Sequence, residues 1–459
     1  MLTKFRAKNF KAWKDTGEIR MAPLTVLFGS NSAGKTSIPQ LLLLLKQTAD
    51  SPDRRRALQF GDNRTLVDAG TFDEAVHNHD LEQSLEIEMA WSLDKALDVV
   101  DPLTRKAFQG TSAGFSVDFR ADKRHQPMVQ SFRYELLSGT SIVLDVEMRR
   151  HEQDNKFDLV SSTYGLVRHT GRAWPLPEPE RFFGFPDEAT AYYQNSAFLS
   201  DLVLELKRML GSVYYLGPLR EYPKRLYQWS GEVPEHVGVK GDRAIEAILA
   251  AGERTFNIKA RQRTRGLGAL VAERLQSMGL IRDFQVKPLG QHRKEYEVLV
   301  RTAGKLPEVK LTDVGFGVSQ VLPVIVECFY VPRRSIVILE QPEIHLHPRV
   351  QAALADLFVD AIRAREGGFP RDCQFIVESH SEHFLRRLQR RIAEGELDSK
   401  DAALYFVHTV ADSARIEELD VDMYGNIRNW PDGFFGDEME DLVARAQAQA
   451  RRSEQGPKQ

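Results

Sequence analysis

Cysteine is nearly absent: the 459 residues hold two, Cys328 and Cys373, each inside an apolar run (IVECFY and CQFIV). That excludes a disulfide framework and a cysteine zinc site, and it points to free buried thiols in a reducing compartment. Long hydrophobic runs are missing too. The longest aliphatic run, Leu41 to Leu45, is far short of the ~20 residues that span a bilayer. The opening MLTKFRAKNFKAW has no apolar signal segment, so the expected place is the cytoplasm, with no membrane partner. Neither sign of charge dominates, because 62 Lys and Arg against 65 Asp and Glu leave a net charge of −3. A protein-wide attraction for nucleic acid is thereby excluded, while a local basic stripe stays open. Internal repeats and sustained heptads are absent, which excludes solenoids and coiled-coil arms. What remains, 42 % apolar and 28 % charged residues, is the composition of a folded globular chain.

The chain opens with short β-like runs, LTKFRAKNF and PLTVLF, then a glycine-containing turn and the apolar stretch IPQLLLLLKQ: strand, loop, helix. From Leu81 to Val167, alternating or β-branched stretches between charged or Gly/Ser turns predict an antiparallel insertion. A Pro-rich patch, Trp174 to Pro186, punctuates the chain. Ala189 to Leu210 has helical spacing, and helices are expected to dominate as far as Leu280. Beyond Asp283 come FQVKPL, EYEVLVR, SIVILE, QFIVES and ALYFVHT, with amphipathic helices between several of them. Such alternation predicts an α/β fold with a mostly parallel, covered sheet. The tail after Phe435 reads as a helix.

Residues 29 to 36 read GSNSAGKT, after the strand LTVLF and before a helix. In that context the pattern is a phosphate-binding loop. Its glycines let several N–H groups and the helix N-terminus face an anion, Lys35 reaches the β- and γ-phosphates, and Thr36 ligates Mg2+. The implied ligands are ATP and Mg2+. A nucleotide loop needs a second strand that ends in a carboxylate, and SIVILEQPEIHLHP supplies one. Ile336 to Leu339 run apolar into Glu340, which would hold Mg2+ directly or through water. Farther on, QFIV ends in ESHS, whose His380 would hydrogen-bond the γ-phosphate or its attacking water.

These segments, with LVDAGTFDEAVH, YLGPLREYP, LTDVGFGVSQVLPVI and NWPDGFF, resemble ABC-type ATPases of the SMC-like and OLD-like class, P-loop proteins that dimerise head to head around ATP. More narrowly, the chain resembles an ATPase family named for its C-terminal domain of unknown function 3696. The resemblance implies an ABC/SMC-type P-loop head with an antiparallel β insertion and a helical insertion. It divides the chain into an N-terminal ATPase lobe (1–80), a β-rich then helical insertion (81–280), a C-terminal ATPase lobe (281–410) and a family-specific segment (411–459). It also assigns residues. Gly29, Ser30, Asn31, Ser32, Ala33, Gly34, Lys35, Thr36 and Ser37 become the Walker A loop, Glu340 the Walker B acid and His380 the switch histidine. Ile344 to His347 becomes the loop that contacts the opposite protomer. Gly315 to Gln320, with Gly315, Gly317, Ser319 and Gln320 at the nucleotide, becomes the signature that caps the partner's ATP. Gln59 and His77 both remain candidates for the Gln-containing loop.

The implied function is a Mg2+-dependent ATPase that forms a homodimer or higher homo-oligomer through ATP. It would couple nucleotide state to a separately encoded effector protein, or to DNA or RNA, in bacterial anti-phage defence. The alternative is a nucleotide-gated sensor of little turnover beside a separate nuclease. Two departures bear on this choice. Gly315 stands where these ATPases have Ser, and Gln341 stands where the general-base Glu follows the Walker B acid. An amide orients water but cannot accept its proton, so Glu343 is considered as a displaced base.

Other constellations are weaker. His345 and His347 on one strand face, with His380, lack a third ligand nearby at metal spacing, and partner contact or capping is the simpler account. Asp420 and Asp422 resemble the DxD of toprim nucleases, but the stretch after His380 is short for such a domain. Arg386, Arg387, Arg390 and Arg391 make one basic helix face, and Lys259, Arg261, Arg263 and Arg265 a second basic run. Arg220 and Tyr222 follow a strand-like segment with Gly217 and Pro218; a nucleotide-adjacent or interdomain role is open, and Pro/aromatic packing is the simpler account.

Overall fold

The computed structural model describes residues 1–151, 155–172, 174–258, 264–290, 293–302, 307–431, 443–445 and 447–449. Two large sheets organise them. The first is antiparallel: Leu2–Phe10 pairs with Leu85–Val100, and the meander continues through Ala107–Ala121, Pro127–Ser138, Ser141–Arg150 and Phe157–Val160. Alternation drives it. Phe115, Val117 and Phe119 are buried on one face, against Phe132, Tyr134 and Phe182. The N-terminal strand belongs to this meander, so the antiparallel sheet continues across position 80/81.

The second sheet holds the site. Its order is Val213–Leu216, Ile336–Glu340, Gln374–Glu378, Leu24–Gly29, Ala402–Val410 and Ser413–Glu418, the first five parallel and the last antiparallel. The closing hairpin Ala402–Glu418 spans the expected boundary at 410/411. Both faces are covered, so alternate residues enter different cores: Ile336 and Ile338 join one, Val337 and Leu339 the other. Gln374 stitches the sheets together: its amide Oε1 accepts from Leu2 N at 3.0 Å and its Nε2 donates to the Leu2 and Ala22 carbonyls at 2.8 and 2.9 Å. The helices Ser37–Asp50 and Phe316–Tyr330 are apolar nearly all round because they lie inside, with Leu41 to Leu45 and Val318 to Tyr330 buried.

Three local expectations are corrected. FQVKPL and EYEVLVR form an antiparallel pair, Asp283–Pro288 with Glu295–Arg301, in a small separate sheet. A short connection permits that pairing, whereas a parallel one needs a crossover. The region that helices were expected to dominate also holds strands: Val213–Leu216, the strand-like segment before Arg220, is the edge strand beside Ile336–Glu340. Three of its four residues, Val213, Tyr214 and Tyr215, are β-branched or aromatic, but four residues are too few for a strand period to show. The helix expected over Ala189 to Leu210 breaks into Asp187–Tyr192 and Phe198–Gly211. Most of the tail after Phe435 lies outside the described residues. No helix of the described residues is long and apolar enough to cross a membrane.

Candidate functional site

Gly29 ends its strand at φ 145°, and a Cβ there would stand 2.0 Å from the Val407 carbonyl oxygen, so only glycine fits. The chain then turns through Ser32 and Gly34, both at positive φ, into the helix that starts at Ser37. Ser30, Asn31 and Ser32 are exposed at the crest, while Ala33 and Ser37 are buried. The buried Trp13 indole pins the loop by donating to the Gly34 carbonyl at 3.0 Å. Lys35 is 3 % exposed and donates to the carbonyls of Gly29 and Ser30 at 3.0 and 2.6 Å. Burial lowers its pKa, against the raising influence of Glu378 and Glu343.

Parallel strands that end level bring their C-terminal residues together. Glu340 and Glu378 are register partners, and Gln341 N donates to the Glu378 carbonyl at 2.9 Å. Glu343, in the turn that follows, accepts from His380 N at 2.6 Å. Three buried carboxylates thus share one sheet edge, and each has an oxygen without a hydrogen-bond partner: Glu340 Oε1, Glu343 Oε2 and Glu378 Oε2. Burial, then repulsion from Glu378, pushes Glu340 up to about 7, with Tyr215 and Arg220 opposing. Burial also raises Glu378, opposed by the Thr36 hydroxyl, Lys35 and the Gln341 amide. Burial raises Glu343, opposed first by the His380 N–H. His380 is lowered by burial and by Lys35, and its Nε2 stands 3.3 Å from the Gln341 amide nitrogen.

The geometry adds Glu378, Tyr215 and Arg220 to the expected site residues. Glu378 was visible as the acid that ends QFIV, but nothing in the sequence placed it beside Glu340. Arg220 faces Tyr215, Glu340 and Glu343, and burial lowers it to about 10. Tyr222 has a different neighbour: its ring packs 5.7 Å from Phe316, which in turn meets the His345 ring at 5.6 Å.

The expected signature opens the helix Phe316–Tyr330, with Gly315 as its N-cap. Gly315 has open space at its Cβ position, and Phe316 is 41 % exposed. Gly317 has only Leu280 and Leu346 side chains near its Cβ position, at 3.7 Å. Ser319 and Gln320 are buried, and the Ser319 hydroxyl donates to the Phe316 carbonyl of its own helix at 2.7 Å. Gln59 and His77 hold other places. Gln59 N donates to Thr48 Oγ1 at 2.9 Å near the far end of the loop helix, and His77 Nδ1 meets the Lys11 carbonyl at 2.9 Å.

His345 and His347 lie in a turn and not on a strand. His345 has φ 62°, and His347 Nδ1 caps the next helix by accepting from Arg349 N at 3.2 Å. Among the described residues no three His, Cys, Asp or Glu are grouped to hold a metal by themselves. The basic helix face is paired, with four arginines sharing three acids: Arg386 pairs with Glu382, Arg387 with Asp356, Arg390 with Glu394, and Arg391 with Asp356 and Glu394. Lys259, Arg261 and Arg263 lie outside the described residues, and Arg265 pairs with Glu273. Asp422 accepts from Tyr424 N and Asn426 N within a turn, both at 2.9 Å.

Residues 1–165 and 253–385 match the AAA ATPase domain family, and residues 397–444 match a family described as protein of unknown function (DUF3696). Among curated proteins none matches. Similar solved structures include the SMC head domain from Thermotoga maritima (11 % identical, 92 % of this chain and 99 % of that one, TM-score 0.40). An SmcHead bound to the C-winged helix domain of ScpA is 9 % identical over 92 % of this chain and 98 % of that one, with a TM-score of 0.43. The Smc head domain with an extended coiled coil bound to the C-terminal domain of ScpA, from Pyrococcus furiosus, is 9 % identical over 98 % and 99 %, with a TM-score of 0.38. With its glycine loop and carboxylate strands on one mostly parallel sheet, the chain belongs to the AAA ATPase domain family and carries a C-terminal segment that matches DUF3696.

Proposed function

We propose that the protein binds ATP with Mg2+ at residues 29–37, hydrolyses it, and forms a head-to-head homodimer through the turn at Gly315. The observation that carries this reading is the convergence of the loop with three buried carboxylates, each with an oxygen that lacks a partner. Such oxygens are costly to leave bare, and a divalent cation satisfies them. Thr36 and Glu340 fit Mg2+, with Glu378 facing Thr36. Bound there with ATP, Mg2+ would neutralise charge on the β- and γ-phosphates. Lys35 and the loop N–H groups hold the phosphates, while Gln341 and His380, 3.3 Å apart, orient a water. Burial favours neutral His380, which leaves its ring able to accept a hydrogen bond.

Calorimetry of ATP with wild type and Lys35→Ala tests the reading. The variant loses the cation at the phosphates, so its affinity falls sharply; affinities equal within about twofold would remove the assignment. A second reading, a nucleotide-gated sensor with little turnover, is favoured by Gln341, which takes no proton. Tight ATP binding with negligible phosphate release selects it. An effector partner and a role in anti-phage defence rest on the family resemblance alone. Contact with DNA or RNA gains no specific support from the arginine face, where each of the four arginines is already paired with an acid.

A further inference from the structure

The strap of residues 217–243 leaves the edge strand Val213–Leu216, beside the Glu340 strand, and crosses to the helix Phe316–Tyr330. Three contacts fasten it there. The Tyr330 hydroxyl donates to the Pro234 carbonyl at 2.6 Å, and Val237 N donates to Glu327 Oε2 at 3.0 Å. Gly241, at φ 71°, packs so tightly on Pro323 that a Cβ would stand 2.4 Å from the Pro323 Cβ. Near its start the strap is tied to its own return limb: Gly217 N donates to the Val239 carbonyl at 2.8 Å and Glu221 N to the Lys240 carbonyl at 2.9 Å. Arg220 lies between those two ties, so its backbone is held on both sides.

The Arg220 guanidinium is acted on by Tyr215, Glu340, Glu327 and Glu343, yet Nε and Nη1, both shielded from solvent, have no hydrogen-bond partner. Shielded donors without partners are costly, and a planar guanidinium fork matches phosphate oxygens. The other cation of the site differs on both counts. Lys35 gives two of its three protons to the Gly29 and Ser30 carbonyls, and it enters from the loop that follows the strand Leu24–Gly29. Strand order places the two cations on opposite sides of the acids: loop strand, Glu378 strand, Glu340 strand, edge strand.

We propose that Arg220 is a second phosphate ligand, contacting the terminal phosphate of ATP held by the loop, on a strap fastened to the helix that opens at Gly315. This rests on the ATP-binding reading. A purely structural Arg220, serving as counter-charge to Glu340 and Glu327, would not distinguish ATP from ADP, and that difference is the readout.

The test is calorimetry with ATP and with ADP, in EDTA, on wild type, Arg220→Met and Arg220→Lys. The expected result for Arg220→Met is ATP affinity lowered at least about tenfold with ADP affinity held within about twofold. Arg220→Lys keeps the charge but loses the fork, so it restores only part of the ATP affinity. It also carries the test alone should Arg220→Met fail to fold, through the same selective loss for ATP. Equal losses for the two nucleotides, or none, overturn the role of Arg220 while leaving wild-type ATP binding in place. A wild type that binds neither nucleotide, in EDTA or with Mg2+ supplied, overturns both readings.

Discussion

The Glu343 carboxylate accepts a hydrogen bond from the backbone N–H of His380 at 2.6 Å, joining the turn after one strand to the end of the next. That bond occupies Oε1 and gives the carboxylate a positioning role, while Oε2 has no partner. Glu343→Gln keeps a carbonyl acceptor for His380, so folding and ATP binding should persist, and hydrolysis should fall by less than about tenfold. Glu343→Ala strands the His380 N–H and should cost about 1–3 kcal/mol of stability. Single-turnover rates and thermal melts check both. A Glu343→Gln enzyme that binds ATP but has lost more than about a hundredfold in rate would reinstate Glu343 as the base.

Gln341 faces Glu378 as well as His380, and this changes what restoring the usual acid would do. A carboxylate at 341 would meet a buried one at 378, and like charges so placed destabilise each other. Gln341→Glu alone should therefore melt lower than wild type, whereas Gln341→Glu with Glu378→Gln should regain the loss. The double-mutant cycle measures the coupling directly. Additive effects would mean that the two side chains do not meet.

Glu327 supplies a pH dependence. It has no exposed surface, and burial pushes it up to about 8, opposed by the Val237 N–H and by Arg220. His236 Nδ1 stands 3.8 Å from its Oε1, and Tyr214, Tyr330 and Cys328 also sense its charge. The folded pKa lies above the ordinary value of 4.5, so the folded chain holds this proton more tightly than the unfolded one. The stability it contributes is full below pH 4.5 and is lost as pH rises toward about 8. Glu327→Gln keeps an acceptor for Val237 without titrating. It should match wild type in acid and exceed it at pH 8 by on the order of 1–3 kcal/mol. Melts across that range decide, and a gap that does not widen with pH refutes the shift.

Contiguous features were legible in the sequence. GSNSAGKT lies between its strand and helix, and Glu340 ends its apolar strand, because each depends on neighbours a few residues away. What the sequence hid depends on strand order. Glu378 stands beside Glu340 because Gln374–Glu378 lies between the loop strand and the Glu340 strand, an arrangement no local pattern encodes. Arg220 reaches the acids through an edge strand too short to show a period, and Trp13 pins the loop from a strand of the antiparallel sheet. Ser319 was a candidate for trans contact by its position in GFGVSQ, yet helical geometry turns its hydroxyl back to Phe316.

That orientation also decides which substitution tests assembly. Ser319 is 7 % exposed, so Ser319→Arg would force a long cation into a packed helix start and disturb the protomer itself. Gly315 suits the purpose better. Its backbone, at φ −57° and ψ 147°, is open to any residue, and a Cβ there meets nothing within 4 Å. Gly315→Arg should therefore melt like wild type and bind ATP at its own loop. If the turn faces a second head, the added side chain blocks that approach, and the larger species that ATP induces in light scattering should disappear. Hydrolysis that needs the composite site should fall with it. A Gly315→Arg protein that still doubles in mass with ATP places the dimer contact elsewhere, and one that stays monomeric with undiminished hydrolysis shows that a single head suffices.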